Sequence, residues 1–354
     1  MPFGFTRAPP PGVPNCEQQE EPPIDHNNPL KIGTTLFSRY NIIGRLSQGT
    51  FGFVYSGEDT FTKQAVALKV MSAKYKNIAI REKSTLTLLN KEENKYVSRL
   101  LDFLILDKYA VGDMGKYALV LPQYERNLYE HLKEARQERG GEGGLSARSQ
   151  ELVLSDVLNG LRFIHKSGIM HLDLKPENIM CSKVNLRPNW TIIDFGNAES
   201  KFGLDIYYDA VTPWYRAPEI CVGAKYTEKA DMWSIGCLIY EIQVGKPLFV
   251  AETNSKLIHK CFTELGAPPA AFLSLPLPPR KKEIKYLKAG KNGTVEFVRT
   301  RRSDIREPQS VIGKAETLTS YMHACLRWMP SERTSADILY TTLQKEVIEG
   351  VVYS

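Results

Sequence analysis

HLDLKPENIM, residues 171–180, is the stretch on which the reading of this chain turns. It spaces an aspartate, a lysine and an asparagine as phosphoryl transfer requires. Asp173 can take the proton from an attacking hydroxyl, Lys175 can neutralise the moving phosphoryl group, and Asn178 can hold a metal ion. A motif this short also arises in unrelated turns, so its weight depends on what surrounds it.

Upstream, SQGTFGFVY at 47–55 carries Gly49 and Gly52 where side chains must be scarce if backbone amides are to approach phosphate oxygens. VALKV at 66–70 sets Lys69 in an apolar run of strand type. Downstream come IIDFG at 192–196 and WYRAPEI at 214–220. Singly these read as a glycine turn, a core strand or a helix cap. Together and in this order they resemble a eukaryotic protein kinase over about residues 36–345. The resemblance implies an α+β, bilobal fold, with a small antiparallel β-sheet lobe plus one helix and a larger, mainly α-helical lobe.

The bulk properties agree with such a fold. At 354 residues the chain is long enough for two lobes with a buried core. No run approaches the ~18 apolar residues of a membrane span, and the N-terminus lacks a basic segment followed by an apolar one. Pro2 stands where myristoylation needs glycine. A protein of the nucleus or cytoplasm is expected, with the nucleus favoured, and its six scattered cysteines should be reduced thiols. The net charge of +6 is uneven: residues 280–302 hold nine basic and two acidic residues, so this cluster carries +7 and the remainder −1. It suits acidic docking partners or nuclear import, and equally a solvated basic loop. A monomer acting on protein substrates, without direct nucleic-acid binding, is expected.

Eight of the 21 prolines fall within residues 1–30 without apolar periodicity, so 1–35 reads as a disordered arm. Strands are predicted at 39–46, 53–59, 64–71, 102–110 and 116–121, with a short helix after the third. Helical period then takes over at 127–137 and again at 150–166, where Leu154, Val157, Leu158, Leu161 and Ile164 share one face. The change of period near 122–127 divides a small lobe, 36–122, from a large one, 123–345, leaving 346–354 as a tail. Thr227 is the predicted N-cap of TEKADMWSIGCLIYEIQ.

The kinase resemblance assigns roles residue by residue. Leu46, Ser47, Gln48, Gly49, Thr50, Phe51, Gly52, Phe53 and Val54 would cover ATP, with Val54 closing over the adenine and Ala67 above it. Ser47 replaces the first glycine of G-x-G-x-x-G, which should cost some flexibility and not binding. Lys69 would grip the α- and β-phosphates. Its anionic partner is expected to be Glu82, on the same helix side as Leu86 and Leu89, with Glu92 and Glu93 as alternatives. In ALVLPQYERNL, Leu121 would be the gatekeeper, backbone groups of Pro122, Gln123 and Tyr124 would meet the adenine edge, and Asn127 could reach the ribose. Met180 would floor the base pocket. Asp194 and Asn178 would chelate Mg²⁺ as hard oxygen ligands. Thr212 would contact Asp173 and Lys175, Glu219 would pair with Arg333, and Asp231 would brace the catalytic loop.

Arg216 before A-P-E resembles the CMGC group, as does KLIHKCFTELGAPP, which reads like the start of that group's insert at 268–314. NLYEHL resembles the dual-specificity tyrosine-regulated and homeodomain-interacting kinases, and GTTLFSRYNIIGRLSQGTFG the Cdc2-like kinases. Lys175 implies a serine or threonine acceptor, and the resemblance extends to tyrosine autophosphorylation. Kinases usually have arginine before the catalytic aspartate, where it pairs with a phosphate on the activation segment, and here that residue is Leu172. Ser47, Leu172 and Pro213 favour a competing class, a pseudokinase serving as a nucleotide-binding or scaffold module. Lys69, Asp173, Asn178 and Asp194, which ATP, metal and proton transfer each need, stand against it. Counting back from A-P-E puts the usual activating tyrosine at Asp209, beside Tyr207 and Tyr208, and Pro213 replaces an arginine that would bind its phosphate. Activity independent of phosphorylation there is expected, with Asp209 as a fixed negative charge. A Tyr207→Phe/Tyr208→Phe double variant should keep full transfer activity in a peptide assay; a large loss would refute this.

Overall fold

The computed structural model describes residues 29–49, 51–109, 115–184, 187–202, 213–277, 287–290, 295–297 and 318–348. Thr50, Tyr207, Tyr208, Asp209, Thr212 and most of the basic cluster lie outside them.

The small lobe is a six-stranded antiparallel sheet of β1 (Thr35–Leu36), β2 (Tyr40–Gly49), β3 (Gly52–Asp59), β4 (Ala65–Met71), β5 (Asp102–Ile105) and β6 (Tyr117–Pro122). Its order is β1-β2-β3-β4-β6-β5. Strand alternation sorts its residues. Phe53, Tyr55, Val66, Leu68 and Val70 are buried in a core on one face. Val54 lies opposite Lys69, and Ala67 opposite Leu121, on the other face. Gly52 is required by packing, since a Cβ there would sit 2.0 Å from the carbonyl oxygen of Val70.

Three expectations change here. Order begins before Leu36: Leu30 is buried in the sheet's core and its N–H donates to Tyr55 Oη at 3.4 Å. A lone leucine has no period to reveal it. The strand predicted at 102–110 stops at Ile105, where Tyr109 N–H turns back to Leu106 O. The helix expected to be short, α1 (Lys76–Leu89), has 14 residues after a 3₁₀ turn at Ala73–Tyr75. Neither its N-cap nor its first turn carries a capping side chain or an acid, so the sequence hides its start.

Beyond β7 (Arg126–Asn127) the large lobe is built on α2 (Leu128–Glu138), α3 (Ala147–Lys166), α4 (Pro218–Val222), α5 (Lys229–Val244), α6 (Asn254–Leu265), α7 (Thr319–Cys325) and α8 (Ala336–Ile348). The five predicted apolar residues of α3 are all fully buried. α5 is capped one residue later than expected: Glu228 is the N-cap, while Thr227 Oγ1 still accepts from Lys229 N–H at 3.3 Å. Short strands β8 (Ile169–Met170), β9 (Ile179–Val184), β10 (Arg187–Ile192) and β11 (Glu199–Ser200) frame the loops that carry Asp173 and Asp194. Cys181, Cys221, Cys237, Cys261 and Cys325 are free and buried, and burial pushes the Cys325 thiol up to about 12. No helix among the described residues is long and apolar enough to cross a membrane.

Arg333 locks this lobe. Its two Nη groups bind both carboxylate oxygens of Glu219 at 2.7 Å, and Nε, Nη1 and Nη2 also donate to the carbonyls of Arg327, Lys229 and Trp328. Both side chains are wholly buried. Such a pair is worth little against an apolar replacement, but losing one partner strands a charge. Arg333→Ala should therefore destabilise the protein by about 3–5 kcal/mol in urea unfolding.

Candidate active site

Lys69 leaves the cleft face of β4 and meets two carboxylates. Its Nζ lies 2.8 and 2.9 Å from the oxygens of Glu82 on α1, and 2.7 Å from Asp194 Oδ1. Burial alone would discharge the ammonium, but Asp194 and Glu82 outweigh it and hold the lysine above its ordinary range. Burial likewise favours the neutral form of Asp194, and Lys69 overcomes it, keeping that carboxyl down at about 2. For Glu82 burial prevails over Lys69 and shifts it upward. Of the candidates for the lysine's partner, Glu82 is the one in contact.

Asp231, fully buried on α5, organises the catalytic loop. Its oxygens accept the N–H groups of His171 at 2.8 Å and Leu172 at 2.7 Å, and lie 2.9 Å from His165 Nε2. Leu172 adopts φ 65, unusual for a bulky residue, while its half-buried side chain packs on the main core. The His171 contacts fix one tautomer, with Nδ1 accepting from Asp173 N–H and Nε2 donating to Ile193 O. His171 is thereby a strut, edge-on to Phe195 with ring centroids 5.0 Å apart.

The loop presents Asp173 with Lys175 Nζ 3.0 Å from Oδ2 and 3.2 Å from Oδ1. Asn178 Nδ2 donates to Asp173 O at 2.8 Å and to Oδ2 at 3.1 Å. Burial raises the Asp173 carboxyl, against the opposing pull of Lys175. Sequence reasoning overlooked Asn197, whose Nδ2 reaches Asp173 Oδ2 at 3.3 Å. Its only sequence signal was a polar residue directly after D-F-G.

This arrangement has known counterparts. Residues 40–343 match the protein kinase domain family. The chain belongs to the protein kinase family. It is 32% identical over 308 residues to cell division control protein 2 homolog 3 of Trypanosoma brucei brucei, covering 85% of this chain and 89% of that protein. It is 30% identical over 250 residues to dual specificity protein kinase YAK1 of Saccharomyces cerevisiae, covering 69% of this chain and 29% of that relative. Both relatives are of the CMGC group, to which the motifs also pointed.

In this kinase the remaining expected positions divide. Val54, Ala67 and Leu121 share the cleft face with Lys69, and β7 pairs Asn127 with Met180. Pro122 ends β6, opposite Val66, and Gln123 and Tyr124 follow it. Gly49 and Gly52 pair at the end of the β2–β3 hairpin, where Ser47 lies opposite Val54. Leu46 is half exposed beside them, and Gln48 accepts from Arg45. Phe51 packs edge-on against Tyr75. The Phe53 side chain is a correction: alternation turns it into the small-lobe core, leaving only its backbone near the cleft. Asn127 also caps α2: its Oδ1 accepts from Glu130 N–H at 2.8 Å in a capping box.

Next to the catalytic loop, the buried hydroxyl of Tyr215 donates to Glu241 Oε2 at 2.6 Å. Burial pushes the Glu241 carboxyl up from 4.5 to about 7, and the charge of Glu177 adds to the rise. A carboxyl raised on folding contributes stability that is complete below its unfolded value and lost as pH climbs through its folded value. From pH 4.5 to above 7 the wild type should therefore lose about 3 kcal/mol relative to Glu241→Gln, whose neutral amide keeps an acceptor for Tyr215. Thermal melts of both proteins across this range check the sign.

Proposed function

We propose that this kinase transfers the γ-phosphoryl group of ATP to serine and threonine hydroxyls of protein substrates, with Asp173 as the base. The observation that carries the reading is that both halves of the machinery are assembled at once. Lys69 is seated on Glu82 and Asp194, and Asp173 is seated among Lys175, Asn178 and Asn197.

The residues fit ATP and Mg²⁺. The Asn178 amide gives its nitrogen to Asp173, which leaves Oδ1 as the end able to serve a hard cation. Asp194 is ionised at neutral pH and is a second hard oxygen donor. A bound Mg²⁺ would neutralise charge on the phosphate oxygens. Lys69 would orient the α- and β-phosphates, and Lys175 would stabilise the phosphoryl group in transit. As the acceptor oxygen bonds to the γ-phosphorus, its proton passes to Asp173, and the bond to the β–γ bridging oxygen breaks with its electron pair leaving on ADP. The basic cluster at 280–302 is assigned to docking acidic substrate segments, on its charge alone. Tyrosine autophosphorylation belongs to the same proposal, on the likeness to a dual specificity relative.

Radiolabelled ATP with a peptide library, followed by phosphoamino-acid analysis, tests this. Label on serine and threonine is expected, falling about 10²–10⁴-fold in Asp173→Asn. Undiminished label in that variant would dismiss Asp173 as the base, and label confined to tyrosine in the peptides would dismiss the acceptor class.

A further inference from the structure

Asn197 follows Asp194, Phe195 and Gly196, and is 2% exposed. Its place is determined from both sides. Ala198 N–H turns back to Phe195 O at 3.1 Å, and β11 then pairs with β8, the strand that runs into the catalytic loop. The segment carrying the metal-ligand candidate Asp194 is thus zipped to the segment carrying the base, and Asn197 is the side chain that reaches across. A carboxylate oxygen can only accept, so the contact also decides which end of the amide faces Asp173: the NH₂.

The two oxygens of Asp173 are treated unequally. Lys175, Asn178 and Asn197 all donate to Oδ2, at 3.0, 3.1 and 3.3 Å, whereas Lys175 reaches Oδ1 at 3.2 Å. A carboxylate held at one oxygen by donors from two loops cannot swing about its χ2 without breaking several bonds. Its less encumbered oxygen then points in a set direction. A bond of 3.3 Å is long, but hydrogen bonds in catalytic sites commonly tighten only when substrate is present.

We propose that Asn197 is a positioning residue that clamps Asp173 through Oδ2 and so aims Oδ1 at the acceptor hydroxyl. The proposal rests on reading Asp173 as the base. Asn197 makes no claim on nucleotide: it acts on the geometry of proton removal, and its loss is felt in turnover.

The test uses the full chain as wild type, Asn197→Leu, Asp173→Asn and the double variant, with Asn197→Ser as a control. Asn197→Leu keeps the volume and removes the donor. Loss of one hydrogen bond to a charged group should lower kcat about tenfold, with KM for ATP changed less than about twofold. In the Asp173→Asn background the same substitution should cost nothing further, because the group it positions is gone. Asn197→Ser, which keeps a donor, should recover part of the loss, and melting temperatures identify any variant that fails to fold. Wild-type kcat in a folded Asn197→Leu overturns the proposal. So does a tenfold loss recurring undiminished on Asp173→Asn, or a loss that falls on KM for ATP alone. Full activity of Asp173→Asn by itself would instead remove the reading of the base, a separate failure visible in a separate arm.

Discussion

The ammonium of Lys69 sits between two carboxylates that belong to different lobes, Glu82 on α1 and Asp194 on the loop after β10. Almost everything about the cleft depends on that contact. One cation between two anions is a stable cluster in a partly buried site, because each anion offsets the desolvation of the lysine and the lysine offsets the repulsion between them. It also sets geometry. β4 brings the lysine, α1 must lie against the sheet for Glu82 to reach it, and the loop after β10 must turn at Asp194, whose φ of 62 is rare for a side-chain-bearing residue. The small lobe is thereby held over the large one with its cationic end aimed at the place where phosphates would lie.

A second set of contacts does the same for the large lobe without any charge pairing of the Lys69 kind. Asp231 takes two backbone amides of the catalytic loop, and His171 joins that loop to the strand leading into Asp194. These are hydrogen bonds among buried groups, which are costly to leave unmade and therefore strict about position. Leu172 fits this design. Where kinases usually place an arginine, a half-buried leucine anchors the loop by packing, at a backbone angle that Asp231 stabilises through its amide.

Much of this was readable from residues alone, for reasons that can be named. The strands of the small lobe alternate, and alternation places Val54, Ala67 and Lys69 on one face of the sheet. The five apolar residues of α3 recur at helical spacing and are all buried. Less was readable where a residue's role depends on a neighbour far away in the chain. Leu30 has no pattern around it, yet it completes the small-lobe core. Asn127 was read only for a ribose contact, and a glutamate three residues on also makes it a helix cap. The start of α1 carries no capping signal, so a helix read as short has 14 residues.

The sequence by itself determined which chemical groups this kinase possesses and in what order they come, because motif spacing is a local property of the chain. Asp173, Lys175 and Asn178 fall within six residues, and no folding is needed to see that they travel together. Which oxygen of Asp173 is clamped, and by what, was decided only in three dimensions. Asn197 lies 24 residues from Asp173 and becomes its partner because β11 pairs with β8. The same holds for Lys69, 125 residues from Asp194. Contacts across such distances follow from how strands pair and cores pack, and those depend on the whole chain at once.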